Sequence, residues 1–106
     1  MKKVINTKSA PSAIGPYSQG ILVGDFVFVS GQLPVDYETS TFAADDIVGQ
    51  TRCSLENVRE ILKKAECTMA DVVKSTVYMK DLSDFAAMND VYVEFFTEPY
   101  PARAAF

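Results

Sequence analysis

The sequence predicts an α+β fold, a two-layer sandwich in which one mixed β-sheet is backed by two helices. Short runs of β-branched and aromatic residues predict strands near both ends of the chain and between two longer segments. In those two segments the apolar residues recur with the period of a helix. Packing both helices on one sheet face would bury both layers, and a chain of 106 residues suits a single domain, residues 1–106.

The first third of the chain predicts strands and an ordered loop. Residues 3–5 suit a short first strand, and residues 9–20, which hold two Pro and two Gly, suit a loop. The runs 21–23 and 26–29 flank a Gly-Asp pair that is typical of a tight β-hairpin. The polar residues 39–44 predict a second loop.

Residues 46–66 predict the first helix. Asp46 suits its positive end and Lys64 its negative end. Cys53 and Cys67 would lie about 20 Å apart along this helix, too far for a disulfide, so we expect two free thiols. The expected buried stripe consists of Leu55, Val58, Ile61, Leu62 and Ala65.

The last third predicts a capped turn at 68–71, a strand at 72–79, a helix at 83–96 and a strand at 102–106. Ser83 is the expected N-cap of the second helix. We expect the edge of the last strand to be covered by another chain or by further residues of the domain. The alternating strand should place Val73, Ser75, Val77 and Met79 on one face. The helix should bury Phe85, Met88, Tyr92, Phe95 and Phe96, with Val91 beside them.

Composition excludes several kinds of chemistry. Fourteen acidic and ten basic residues give a net charge of −4, which argues against nonspecific binding to nucleic-acid phosphates. The chain has no His, the commonest general base and metal ligand, and two Cys are too few for a four-cysteine zinc site. No run of 18 apolar residues could span a membrane, and no secretory signal is visible, so we expect a cytoplasmic protein. We also expect no cofactor. Any catalysis must use Arg, Tyr, carboxylates, backbone groups or water.

Five motifs, in order, resemble those of the RidA/YjgF family. They are IGPYSQG at 14–20, VSGQLP at 29–34, QTR with LENV at 50–52 and 55–58, MNDVY at 88–92, and YPAR at 100–103. The resemblance implies a chorismate-mutase-like fold assembled as a homotrimer with three clefts between subunits. It also implies hydrolysis of reactive 2-imino or enamine acids, such as 2-aminoacrylate and 2-iminobutyrate, to 2-oxo acids and ammonia.

The resemblance further implies a set of site residues. Arg103 would be catalytic by gripping the substrate carboxylate through two parallel hydrogen bonds, which Lys cannot copy. Tyr17 would be catalytic by lining the cleft and positioning water. Ser30 and Gly31 would bind the imine nitrogen or the water through backbone groups, and Asn89 would organise the subunit interface beside the cleft.

From the residues alone, each of these positions also has a structural interpretation. Arg103 could form a salt bridge, Tyr17 could cover the core, Ser30 and Gly31 could form a turn, and Asn89 could bond to a neighbouring loop. Two other functions stay open: a non-catalytic module that binds small carboxylates, and a translation inhibitor or endoribonuclease, the older family labels. The last would need a basic, aromatic groove.

Two departures from the family pattern bear on activity. Some members carry a Cys where Ala105 stands here, so no thiol nucleophile is expected there. The family usually continues into a last carboxyl-terminal strand with a Glu that helps to orient substrate or water. We expect residues 1–106 to lack that strand.

Overall fold

The computed structural model of the protein describes residues 1–106 and contains two α-helices and seven strands. Short 3₁₀ turns lie at Met69–Asp71 and Leu82–Asp84. The strands are β1 (Lys3–Ile5), β2 (Gly20–Val23), β3 (Phe26–Val29), β4 (Val35–Asp36), β5 (Thr41–Phe42), β6 (Lys74–Val77) and β7 (Ala102–Ala105), and the helices are α1 (Ile47–Lys64) and α2 (Phe85–Phe95).

The α+β class is confirmed, but the strands form three hydrogen-bonded sets rather than one sheet. Strands β1, β2 and β3 are antiparallel, as are β4 and β5, whereas β6 and β7 are parallel. Val29 of β3 and Val77 of β6 pack on the same apolar core, although no hydrogen bond joins the two strands. The helices therefore cover strands of more than one set.

Two local predictions in the strand region met different outcomes. The hairpin between β2 and β3 is confirmed, and Gly24 turns it with a φ of 56°, which glycine adopts without strain. The prediction of a loop over residues 39–44 is wrong at Thr41 and Phe42, which pair with Asp36 and Val35. Such two-residue strands are too short to show an alternating apolar pattern.

Helix α1 agrees with its prediction to within two residues at each end. Asp46 caps its first turn, since a carboxylate oxygen accepts a hydrogen bond of 2.9 Å from the backbone N–H of Gly49. Ile61 and Leu62 are buried as expected. Asn57 is buried too, because its side-chain amide donates to the carbonyls of Leu33 and Val35 and holds the β4 segment against the helix.

Helix α2 begins differently from the prediction. Ser83 is not the N-cap of α2, because it lies inside the preceding 3₁₀ turn, and α2 follows Asp84, which makes no side-chain capping hydrogen bond. Asp81 caps that turn instead, and its side chain accepts a 2.9 Å hydrogen bond from the Ser83 N–H. Hydrogen bonds from Ser83 hold the pKa of the Asp81 carboxyl below its usual value. Phe85, expected in the core, is instead 38% exposed.

The core lies between the helices and the inner faces of the strands. One buried cluster joins both helices, and a smaller one joins β1, the following loop and α1. The first cluster contains Leu62, Met69, Met88, Tyr92 and Phe96, and the second contains Ile5, Ala10 and Ile61.

Neither helix is long and apolar enough to cross a membrane.

The other face of the first sheet is apolar and open. Val4, Phe26 and Phe28 are each more than 60% exposed, at 65%, 64% and 61%. Val4 and Phe28 both flank Ile21 in the strand register, so Val4, Ile21 and Phe28 form a continuous apolar stripe across the three strands.

Cys53 and Cys67 are both free, as predicted.

Ile61 should be the most costly single position of the smaller cluster to truncate. Its side chain is 0% exposed, so Ile61→Ala should lower the free energy of unfolding by about 2–5 kcal/mol in urea denaturation. Ile14→Ala is the matched control, because Ile14 is 92% exposed and its loss should change that free energy by less than about 0.5 kcal/mol. Equal effects of the two substitutions would contradict this description of the core.

Candidate functional site

Arg103 lies at the junction of β7 and α2. In the parallel β6–β7 pair it stands opposite Ser75, and its side chain extends towards the helix. Its Nη1 donates a 2.6 Å hydrogen bond to Oδ1 of Asn89. Its Cζ lies 4.8 Å from the ring centroid of Tyr92 and 5.3 Å from that of Phe85.

The Arg103 guanidinium has no acidic partner within the chain. The one salt bridge joins Arg52 of α1 to Glu94 of α2 at 3.1 Å. The salt-bridge interpretation of Arg103 is therefore wrong for the chain by itself, and so is the pairing of Asn89 with a loop, because Asn89 bonds to a strand residue. Arg103 is exposed and retains N–H donors that no protein group accepts.

A groove of about 510 Å³ begins at this guanidinium. Arg103 and Asn89 supply a polar end, and the remaining wall is aromatic and aliphatic, formed by Tyr92, Val93, Tyr100 and Pro101. A cation beside an apolar wall is suited to a small carboxylate with a hydrocarbon side chain. None of the lining residues is a carboxylate.

Tyr17 sits on a loop that Gln19 fixes from inside. Gln19 is 2% exposed, and its Oε1 accepts a 2.7 Å hydrogen bond from the N–H of Thr7. Its Nε2 lies within hydrogen-bonding distance of the carbonyls of Thr7, Ala10 and Pro11. Tyr17 itself is 52% exposed and packs on neither core cluster, so it does not serve as a cover over the core.

Ser30 and Gly31 differ in what they can offer a ligand. The hydroxyl of Ser30 donates to the carbonyl of Ser18 and its N–H to the carbonyl of Gln19, at 2.5 and 2.9 Å. Both donors of Ser30 are therefore committed to the loop that carries Tyr17. Gly31 is exposed and its backbone makes no hydrogen bond, so its N–H and C=O are open.

The five predicted site residues thus fall into two groups within one chain. Arg103 and Asn89 touch each other at the groove. Tyr17, Ser30 and Gly31 share the region where the first loop meets the end of β3. No hydrogen bond joins the two groups, and the second group does not line the Arg103 groove.

Sequence reasoning missed two neighbours of Arg103, because it assigned Phe85 and Tyr92 to the core. A signal was present: Phe85, Asn89 and Tyr92 follow the i, i+4, i+7 spacing and therefore line one face of α2. Asn89, the polar residue of this series, indicates that this face of α2 also contacts a polar group, which the structure identifies as Arg103.

A second cavity, of about 430 Å³, lies between α1 and the β4–β5 hairpin. It contains four carboxylates and one cation, Arg52, which is paired with Glu94, so its net charge would repel an anionic ligand. No group of three or more His, Cys, Asp or Glu side chains in the protein is arranged to hold a metal ion. Burial, and then the negative charges of Glu56 and Asp36, raise the pKa of the Cys53 thiol in its wall, so this thiol is a poor nucleophile. The four carboxylates are Asp36, Glu38, Glu56 and Glu60.

Comparison with known proteins matches nearly the whole chain to one family. A family model described as endoribonuclease L-PSP matches residues 7–106. A RutC family protein of Pyrococcus abyssi is 55% identical over 98% of this chain and 82% of its own length. A 2-iminobutanoate/2-iminopropanoate deaminase of Salmonella typhimurium is 50% identical over 98% of this chain and 83% of its own length.

Solved structures agree with these sequence matches. The crystal structure of RidA from an Antarctic Psychrobacter has a TM-score of 0.94 at 44% identity, covering 98% of this chain and 84% of that one. The crystal structure of Escherichia coli TdcF with bound serine has a TM-score of 0.92 at 45% identity, and it likewise covers 98% of this chain and 84% of that one.

Gln19 should determine the rigidity of the Tyr17 loop. Gln19→Ala leaves the N–H of Thr7 and three carbonyls without their partner, so we expect a loss of about 1–3 kcal/mol in the free energy of unfolding. Hydrogen exchange should also become faster at the amides of residues 7–19.

Gln32→Ala is the matched control, because that side chain makes a single hydrogen bond, to the carbonyl of Ser30. It should affect stability and exchange much less. Unchanged exchange across residues 7–19 in Gln19→Ala would show that the loop does not depend on this side chain.

Proposed function

The chain belongs to the RidA/YjgF family, and we propose that it hydrolyses reactive 2-imino acids, such as 2-iminobutyrate and 2-iminopropanoate, to 2-oxo acids and ammonia. The observation that carries the proposal is the Arg103 guanidinium. It is exposed beside an apolar groove, it lacks an acidic partner, and Asn89 accepts only one of its N–H groups. A substrate carboxylate can accept two of the remaining donors in parallel.

The chemistry requires little from the protein beyond orientation, which suits a chain without His. The carbon of a protonated imine is already electrophilic, so water can add without a strong base. The water oxygen bonds to that carbon and one water proton passes to the nitrogen, which gives a protonated aminoalcohol. Its C–N bond then breaks, the carbonyl forms as the hydroxyl proton is released, and the departing ammonia takes up that proton and leaves as ammonium. We assign the carboxylate to Arg103, and the placing of the water to Tyr17 and the open backbone groups of Gly31.

We further propose that the site is completed between copies of this chain, in a homotrimer with a chorismate-mutase-like arrangement of single-domain subunits. The separation of the five site residues into two groups supports this, because a neighbouring copy could bring the Tyr17 group to the Arg103 groove. The apolar stripe of Val4, Ile21 and Phe28 supports it as well, since stripes of this kind pack against other chains.

A non-catalytic carboxylate-binding module is the second candidate. It is favoured by the lining of the Arg103 groove, which contains a carboxylate anchor but no carboxylate that could act as a general acid or base. TdcF, a relative with bound serine, has a small carboxylate as its ligand. Binding of 2-oxobutyrate without any acceleration of imine hydrolysis would favour this candidate.

The enzymatic proposal predicts a large effect of Arg103→Lys. With a pyridoxal-phosphate threonine dehydratase supplying 2-iminobutyrate, the protein should accelerate the appearance of 2-oxobutyrate. Loss of the paired charge-assisted hydrogen bonds in Arg103→Lys should lower kcat/KM about 10- to 100-fold.

Arg59→Lys is the matched control, because Arg59 also lies over an aromatic ring, that of Phe95, but not in the groove. It should retain the activity of the unsubstituted protein. Full turnover in Arg103→Lys would refute the role given to Arg103.

The assembly proposal predicts a mass in solution of three times the 11.7 kDa chain by sedimentation equilibrium. Phe28→Glu places a charge in the apolar stripe, so we expect monomers and loss of imine hydrolysis. Phe42→Glu makes the same change at a similarly exposed side chain on the β4–β5 hairpin and should leave the trimer intact. A trimeric Phe28→Glu protein would rule out this face as the subunit contact.

A further inference from the structure

The Arg103 guanidinium lies between two aromatic rings of one helix. Phe85 and Tyr92 are seven residues apart, so their Cα positions differ by about 10.5 Å along the axis of α2. The Cζ of Arg103 is 5.3 Å from one ring centroid and 4.8 Å from the other. Asn89, one turn after Phe85, accepts from Nη1, so a single helix face contacts the guanidinium at three points.

The two rings are held to different degrees. Tyr92 is 7% exposed, and its hydroxyl shares a 2.6 Å hydrogen bond with the hydroxyl of Ser75. Ser75 is the register partner of Arg103, so the strand pair that places Arg103 also orients the Tyr92 ring. Phe85 is 38% exposed, makes no polar contact, and can be exchanged with less disturbance to the core.

This arrangement leaves the remaining N–H donors of the Arg103 guanidinium free to bind a ligand. Aromatic rings attract a guanidinium through their π faces, whereas its N–H donors point outwards in its own plane. The rings therefore restrict the side chain without occupying the donors that a carboxylate needs. A side chain already restricted loses less conformational entropy when its ligand binds.

We propose that Phe85 and Tyr92 are positioning residues that hold the Arg103 guanidinium ready for a carboxylate ligand. This inference deepens the proposed function and rests on it. Since the rings act on the anchor and not on the reacting carbon, their loss should raise KM and the Kd for a carboxylate while kcat changes little.

The experiment exchanges the exposed ring. Phe85→Leu keeps an apolar side chain and removes the aromatic face, so KM for 2-iminobutyrate and Kd for 2-oxobutyrate should both rise about two- to fivefold. Phe85→Trp restores an aromatic face and should return both values to those of the unsubstituted protein. In NMR spectra, the Nε–H resonance of Arg103 should shift in Phe85→Leu, because the ring current is lost.

Phe95→Leu is the matched control, because it removes the equivalent contact between Arg59 and Phe95, 5.1 Å from cation to ring centroid, on the same helix. It should alter stability and leave KM and Kd unchanged. Tyr92→Phe gives a second test: it keeps the ring but removes the bond to Ser75, and it should also raise Kd for 2-oxobutyrate.

The outcomes separate this inference from the function on which it rests. Kd for 2-oxobutyrate is measured by calorimetry and does not require turnover. A protein that binds 2-oxobutyrate through Arg103 but does not hydrolyse imines would contradict the enzymatic proposal, and the Phe85 series would still test the positioning role. Unchanged Kd in Phe85→Leu, or a rise that Phe85→Trp does not reverse, would overturn that role.

Discussion

The parallel pairing of β6 with β7 is the constraint on which the candidate site depends. It sets Arg103 opposite Ser75 and against the face of α2 on which Phe85, Asn89 and Tyr92 contact it. A shift of one residue in β7 would turn the Arg103 side chain to the other face of the strand pair, away from the helix. The guanidinium would then lose its aromatic neighbours and its amide partner.

Electrostatics distinguish the two cavities of this acidic protein. Four carboxylates line the cavity beside α1, whereas a cation without an acidic partner stands at the end of the groove beside α2. Of these two cavities, the groove beside α2 is the more favourable for an anionic substrate. That cation could remain without an acidic partner because it is exposed, so its charge keeps contact with water until a ligand arrives.

Local patterns made much of the fold predictable, and long-range contacts account for what was missed. The hairpin at Gly24 and helix α1 follow from residues close in sequence, so their signals were strong. The β4–β5 pair and the separation of the strands into three sets depend on contacts between segments, for which the sequence holds no periodic signal. Arg103 and Asn89 were predicted from family motifs, and the structure brings them together. The helical spacing of Phe85, Asn89 and Tyr92 indicates that they share one face of α2. The roles of Phe85 and Tyr92 were missed because this spacing does not show that Arg103, from a strand distant in sequence, lies against that face.

The central claim is that the Arg103 guanidinium is the carboxylate anchor. A crystal structure of the protein with 2-oxobutyrate would test it most directly. The account predicts both carboxylate oxygens within hydrogen-bonding distance of Arg103, with Asn89 still bound to Nη1 and the hydrocarbon end towards Val93 and Tyr100. A carboxylate bound elsewhere, with Arg103 contacting only protein groups, would contradict it.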